Sequence, residues 1–364
     1  MRKIVLFVLA TISCFTTFSQ EAESENTTPD FVVIPRFDAN PYIATKHTGL
    51  KSFDFGATSL YTLFEGSVGN FSYSMSNHWL STSPADLYRN TFRSDDVNWL
   101  DWLTLTYNVG QFGFTVGKDV LAVGGYEIIP SDVDQHQALC STFWHNAAVY
   151  QWGAKVDYTS KDESTYLAFQ FATSPFGEHP FSSKLFTYSL YWSGEYGCWA
   201  PAWSLNFIEH DRGKFHSIIS LGNRFSFGDF SFDVDYTNFA SSFNRFFEQS
   251  MALTLRAEYK FGDKVELFAK GGYEHARGGN PYEWADEDTG EICYDNTIVP
   301  SMILPDKDYF YYGAGVHYYP LRDSQDLRLH AIIASNNYAK GVSMTFGATY
   351  YFNLTKTILK HRKR

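Results

Sequence analysis

Charged side chains recur at every second position along several stretches of the chain. Arg256, Glu258 and Lys260 alternate with Leu255, Ala257, Tyr259 and Phe261, and Asp233 and Asp235 alternate with Phe232, Val234 and Tyr236. Lys118, Lys155, Asp157, Arg224, Glu266, Lys270, Arg328 and His330 sit in similar surroundings. Successive side chains of an extended chain point to opposite faces, so each stretch has one charged and one apolar face. A wall of mixed sign facing water would set a transverse field and a weak ion preference. The alternative is that these charges pair with neighbouring strands and cancel, and both can hold together. A third placement for some of them is against interfacial headgroups.

Bond-making chemistry has less support. His78, His136, His145, His210 and His275 fall near segment ends, with Ser and Asp close by in composition alone. Neither a nucleophile elbow nor an HExxH pair occurs, so no catalytic residue and no enzyme is expected. The stretch 276–308 carries Asp286, Glu287, Asp288, Glu291, Asp295, Asp306 and Asp308. Its spacing lacks the later ligands of an EF-hand, so a solvated loop is expected, with a divalent-cation site as the alternative. No metal or cofactor is assigned.

The elements that would position these residues are strands. Met251 to Phe261, Phe230 to Thr237, Val342 to Phe352 and Phe71 to Ser76 all show period-two alternation. The segments run ~10 to 13 residues, longer than the ~5 to 6 of ordinary strands and sufficient to cross a bilayer at a tilt. From Ser52 onward they fall at 52–64, 71–79, 99–108, 113–121, 145–159, 165–173, 184–193, 200–208, 215–226, 230–237, 250–260, 265–275, 309–319, 327–335 and 342–354. Short connections at 65–70, 109–112, 160–164, 194–199, 227–229, 261–264 and 320–326 alternate with mostly longer ones at 80–98, 122–144, 174–183, 209–214, 238–249, 276–308 and 336–341. That alternation predicts an antiparallel up-and-down β-barrel with tight periplasmic turns and longer extracellular loops. Strand parity then requires one more strand before residue 52. Phe31 to Thr45 is the candidate, and Pro35 and Pro41 place it at the closure seam beside the last strand. The expectation is an all-β transmembrane barrel of sixteen strands, with fourteen as the alternative, spanning 31–354 as one domain. No run of eighteen apolar residues offers a membrane helix. Yet 25 Tyr, 33 Phe and 9 Trp accompany a mean hydropathy of −0.27, as aromatic girdles around a polar interior require.

Residues 1–19 read as a secretory signal peptide: Arg2 and Lys3, an apolar run Ile4 to Ile12, and Thr17 and Ser19 before the cleavage point. A membrane anchor, or a lipoprotein reading on Cys14, is the alternative. Residues 20–30 read as a polar periplasmic lead-in. Without the leader the chain has 27 Lys and Arg against 40 Asp and Glu, a net charge of −13, which speaks against nucleic acid as a partner. The tail 355–364 ends Lys-His-Arg-Lys-Arg; it reads as a solvated periplasmic extension or as a contact to anionic headgroups or a partner. In the long connection 122–144, Gly124 and Gly125 allow the chain to fold back into the lumen, making Tyr126, Glu127, Asp132 and Asp134 constriction-loop candidates. An outward surface loop is the alternative. Cys140 and Cys293 both map to extracellular loops and Cys198 to a periplasmic turn, so Cys140–Cys293 is the one disulfide that topology permits.

The run Asp101-Trp102-Leu103-Thr104-Leu105-Thr106-Tyr107-Asn108, then Phe114-Thr115-Val116-Gly117-Lys118 and Ala122-Val123-Gly124-Gly125-Tyr126-Glu127, resembles Bacteroidetes outer-membrane porins related to the phosphate-selective porins O and P. The resemblance is clearest over about residues 50–145 and architectural beyond them. It implies a water-filled outer-membrane barrel through which small hydrophilic solutes or ions diffuse passively. A non-conducting barrel acting as scaffold in an envelope assembly is the alternative. Outer-membrane lipid and small solutes are the expected partners, and a homotrimer follows by analogy. No basic ladder lines the inward positions, so phosphate selectivity is not implied.

Overall fold

The computed structural model describes residues 29–44, 49–55, 58–81, 99–130, 132–146, 150–177, 181–240, 250–275, 283–285, 292–294, 308–339 and 341–362. The expected leader, nearly all of the lead-in and most of 276–308 lie outside the described residues.

The strands are β1 (Asp30–Ala44), β2 (Gly49–Asp54), β3 (Ser59–Val68), β4 (Phe71–Ser81), β5 (Leu100–Val109), β6 (Phe112–Val120), β7 (Tyr150–Thr159), β8 (Thr165–Thr173), β9 (Phe186–Gly194), β10 (Trp199–Asp211), β11 (Lys214–Phe227), β12 (Phe230–Ala240), β13 (Ser250–Phe261), β14 (Val265–His275), β15 (Glu283–Ala285), β16 (Ile292–Tyr294), β17 (Asp308–Tyr318), β18 (Leu327–Asn336), β19 (Gly341–Tyr350) and β20 (Phe352–Asn353). Two helices accompany them, α1 (Thr142–Asn146) and α2 (Leu354–Arg362). β15 and β16 form a separate hairpin; the other eighteen strands make one closed sheet. β2 and β3 are successive pieces of one stave, and β19 and β20 of another, so the antiparallel up-and-down wall has sixteen staves. The fourteen-strand alternative is excluded.

β1 closes the barrel. It pairs with β3 from Asp30↔Glu65 to Arg36↔Ser59, and with β19 from Arg36↔Thr349 to Ala44↔Gly341. An unpaired edge in hydrocarbon would cost several kcal/mol per group, which closure avoids. The seam carries the mark of its prolines. Pairing to the last stave skips Ile34 and Pro35 opposite the break at Tyr351, and skips Asn40 and Pro41. Proline has no N–H to give, so the seam is where it does least damage.

The alternation read in the sequence becomes two faces. On β14, Glu266 and Phe268 are buried whereas Leu267 is 44 % exposed; on β5, Leu103, Leu105, Tyr107 and Val109 all face out at 40 % or more. Aromatic pairs ring the outside at both ends. Phe71–Tyr107 and Phe112–Tyr158 meet near the short turns with centroids 5.0 and 5.4 Å apart, and Trp79–Trp99 and Tyr273–Phe310 near the other rim at 5.4 and 4.9 Å. The tight turns need a left-handed residue, and Gly228 (φ 62°) and Gly262 (φ 60°) supply it in their Phe-Gly-Asp turns.

Several boundaries differ from the sequence reading. The expected 52–64 strand falls in two pieces, one ending at Asp54 and the next beginning at Ser59 and continuing to Val68, so its turn is Gly69-Asn70. The 145–159 strand begins only at Tyr150, because α1 precedes it. The connections do not alternate strictly: residues 212–213 form a turn as tight as those of the opposite rim, because β10 and β11 run to 13 and 14 residues. The tail is no plain extension but begins as α2, whose Lys356 N–H is capped by Asn353 Oδ1 at 2.8 Å.

Candidate functional site

Residues 121–146 leave β6 and turn into the barrel. The entry lies flat on β10 and β11. Gly124 N–H donates to Ser204 Oγ at 2.8 Å, Ser220 Oγ donates to Gly124 O at 2.6 Å, and Gly125 N–H donates to Ala202 O at 2.9 Å. A Cβ on Gly124 would stand 2.4 Å from Ala202 O, so only glycine allows this approach. Tyr126 OH donates to Ala200 O at 2.9 Å.

Glu127 is the midpoint. Its N–H donates to Asp235 Oδ2 on β12 at 2.6 Å. Its carboxylate accepts from Lys270 Nζ on β14 at 2.7 Å, Ser141 N–H at 3.0 Å and Tyr311 OH on β17 at 3.2 Å. Burial pushes this carboxyl up, but the Lys270 ammonium and the Ser141 hydrogen bonds more than offset that and leave it below its ordinary range. Further on, Asp134 accepts from Arg328 NH1 on β18 and from Tyr351 OH, both at 2.7 Å. Arg36 NH1 on β1 donates to Val133 O at 2.8 Å and Gln135 O at 2.7 Å. The loop has by then crossed from one side of the lumen to the other.

It returns through three imidazoles. His136 Nε2 lies 2.7 Å from His317 Nε2, and its ring is 5.1 Å from that of His330. Glu266 Oε1 holds His317 Nδ1 at 2.9 Å, and Asp38 Oδ1 holds His330 Nε2 at 2.9 Å. Burial first, then His317, His330, Arg36 and Arg328, hold the His136 imidazole well below its ordinary value. Leu139 packs on Phe268, Ile332 and Ala334. Thr142 gives its N–H to Glu274 Oε1 at 2.8 Å and its hydroxyl to the other carboxylate oxygen. Phe143 closes the circuit against Leu121, Val123, Ala172, Ile208 and Ile218.

Most of the inward candidates are met by the opposite charge. Arg224 binds Asp233 through Nε at 2.6 Å and NH2 at 2.7 Å, with its guanidinium 4.3 Å over the Tyr126 ring. Arg256 meets Glu258 at 2.7 Å and Glu266 at 3.3 Å, and Lys260 stands 3.7 Å from Glu258. Lys155 binds Asp119 at 2.6 Å. Asp157 faces inward and is buried, and no donor reaches its Oδ1. Asp132 lies in a 3-10 turn with its side chain outside the described set.

Two expectations are corrected. Lys118 leaves the inward face: it stands in register with outward-facing Leu103 and with Trp152, and its ammonium donates to Leu100 O at 2.5 Å. The inward position belongs to Asp119, which the sequence reading did not select. Cys140 carries no disulfide: its thiol is buried in the lumen and donates to Gln135 Oε1 at 3.5 Å, so the Cys140–Cys293 bridge is not formed. Turning the loop inward removes Cys140 from the extracellular surface. Cys293 has its side chain outside the described residues. Arg36, Asp38 and Glu274 were also missed, because Val133, His330 and Thr142, which they meet in the lumen, lie far off in the chain.

The hydrogen bonds described above tie the loop to β1, β10–β12, β14, β17 and β18. Small polar side chains line β4 to β6: Asn108 Nδ2 donates to Ser72 Oγ at 3.1 Å, Trp102 Nε1 to Ser74 Oγ at 2.8 Å, and Thr106 and Thr115 hydroxyls meet at 2.8 Å.

No family model and no curated protein matches the chain. Solved structures do. A loop-deletion variant of OmpT, an outer membrane protein of Vibrio cholerae, shares 15 % identity and a TM-score of 0.55 over 89 % of this chain and 99 % of its own. The anion-selective porin of Comamonas acidovorans shares 10 % identity and a TM-score of 0.57 over 90 % and 100 %. A variant of the Rh. blastica porin shares 12 % identity and a TM-score of 0.55 over 89 % and 100 %. The fold is that of the porin barrels. At these identities the likeness is one of fold.

Proposed function

We propose that the chain is an outer-membrane channel that passes small hydrophilic solutes or ions down their gradients. The observation that carries this reading is a closed barrel with a polar inner face, into which residues 121–146 turn and are pinned to the wall. A barrel of sixteen staves is wide enough for an aqueous passage, unlike one of eight. The loop narrows that passage without chemistry, and the lumen charges bias what enters. Export by a cleaved leader at 1–19, a periplasmic lead-in and tail, and assembly as a homotrimer belong to the same reading. So does kinship with the Bacteroidetes porins, on the motifs of residues 101–127.

Planar-bilayer recording of the purified full chain tests it. Stepwise single-channel openings are expected, without strong block by phosphate. Absence of openings from correctly folded protein would overturn it. A submillimolar phosphate block would overturn the unselective part alone. The extent of loop insertion favours a second reading, a closed barrel serving as scaffold in an envelope assembly. A silent barrel that co-purifies with a partner is the outcome that reading expects.

A further inference from the structure

The loop crossing the lumen has no free charge among its described acidic side chains. Glu127 is neutralised by Lys270 and Asp134 by Arg328, each pair at 2.7 Å. The wall cations are likewise taken: Arg224 by Asp233, Arg256 by Glu258 and Glu266, and Lys155 by Asp119. Carboxylates outnumber them. Asp235 Oδ1 has no donor, but Asp235 Oδ2 and Glu274 each accept a backbone amide, of Glu127 and Thr142, in place of a cation. Asp157 has neither.

Asp157 has a defined setting on β7. Across one row of the wall, Asn108 on β5 pairs with Gly113 on β6, and Gly113 with Asp157. All three face the lumen. Both Asp157 carboxylate oxygens stand 2.7 Å from where a Gly113 Cβ would be, so the side chain leans over the glycine towards β5. Asn108 presents its carbonyl from the other side; its Nδ2 is used by Ser72 Oγ and Asn70 O at 3.1 and 3.4 Å. Asp157 Oδ1 and Asn108 Oδ1 are both buried and without a donor. Asp157 is only 2 % exposed. The carboxylate fills the space that the missing Gly113 side chain leaves, and two such unmet oxygens on one row of the wall call for a positive ligand, since an unmet buried carboxylate is costly. Lys155 is two residues away, but its ammonium is held by Asp119.

We propose that the lumen favours cations over anions, and that Asp157 with the Asn108 carbonyl forms an alkali-cation subsite that sets this preference. The inference rests on the diffusion reading above and adds the class of ion. It places the selective charge on the wall, because every described loop carboxylate is already spent.

The test is the reversal potential of single channels in a tenfold KCl gradient. The full chain and two isosteric variants, Asp157→Asn and Asn108→Asp, are compared after heat-modifiable gel mobility has shown each to be folded. Wild type is expected to reverse on the potassium side. One unit charge on the wall is worth at most about 1 kcal/mol to an ion in the aqueous lumen, so Asp157→Asn should lower the potassium-to-chloride permeability ratio by up to about fivefold. Asn108→Asp should raise it. Wild type reversing at zero or on the chloride side overturns the proposal, and so does an Asp157→Asn channel indistinguishable from wild type. In both cases the channel still conducts, whereas a barrel with no conductance sinks the diffusion reading itself.

Discussion

Glu127 and Lys270 join loop to wall as a buried ion pair, and its energetics set what breaking it does. Removing one member leaves the other charge buried alone, at a cost of about 3–5 kcal/mol, whereas replacing both is far milder. Lys270→Met is therefore expected to free the loop and raise single-channel conductance, and Glu127→Gln with Lys270→Met to restore much of the docked behaviour. Equal conductance in all three would rule this out. Acid acts on the same contacts. The docked Glu127 holds its proton less readily than a free carboxyl, so its contribution is present above the ordinary value of 4.5 and lost as pH falls through the lower folded value. His136 acts earlier. Its docked imidazole is also the weaker base, so the docked loop binds fewer protons and loses stability as pH falls below the free value of 6.5. Channels recorded at pH 5 and pH 7.5 should differ in their open levels, and His136→Gln should abolish the difference. Identical traces at the two pH values for wild type would refute the assignment.

Gly124 decides the direction of the loop as an element. Alanine there would drive a methyl into the Ala202 carbonyl and the Ser204 amide, both backbone atoms that cannot yield. Gly124→Ala should lift the loop root from β10 and β11 while leaving the barrel folded, read as raised conductance with unchanged gel mobility. Unaltered conductance would mean that the root is not fixed there. The glycine pair was visible in the sequence, and so were the staves, because period-two alternation is a local property of eleven or so residues. The seam was visible too, through Pro35 and Pro41. The partners across the lumen were not. Asp134 and Arg328 are 194 positions apart, Glu127 and Lys270 143, and no local pattern encodes such a meeting. Lys118 failed for a different reason. It shares parity with Phe112, Phe114 and Val116, all exposed on the outside, and the β5–β6 register runs unbroken from Val109↔Phe112 to Leu103↔Lys118, so strict alternation puts it on the outer face and only its charge suggested otherwise. The Cys140–Cys293 pairing was drawn from topology alone, which says which rim a loop leaves from and not which way it turns.

For the molecule as a whole, β1 is the piece that both edges need. Deleting residues 30–44 would leave β3 and β19 with open ladders in lipid. Such a chain is expected to show no heat-modifiable folded band and to aggregate on refolding. A folded, conducting product would show that the two edges can find each other directly. The long reach of the inward loop has a consequence in time. Neighbouring staves can zip in sequence as soon as both are made, since their contacts are near in the chain. The loop's anchors cannot. Arg36 comes from the first stave and Arg328 and Tyr351 from the last two, so the final grips of residues 133–135 exist only after the ring is nearly complete. Threading the narrow point is thus the closing act of maturation, and a half-finished cylinder stays wide inside until its ends have met.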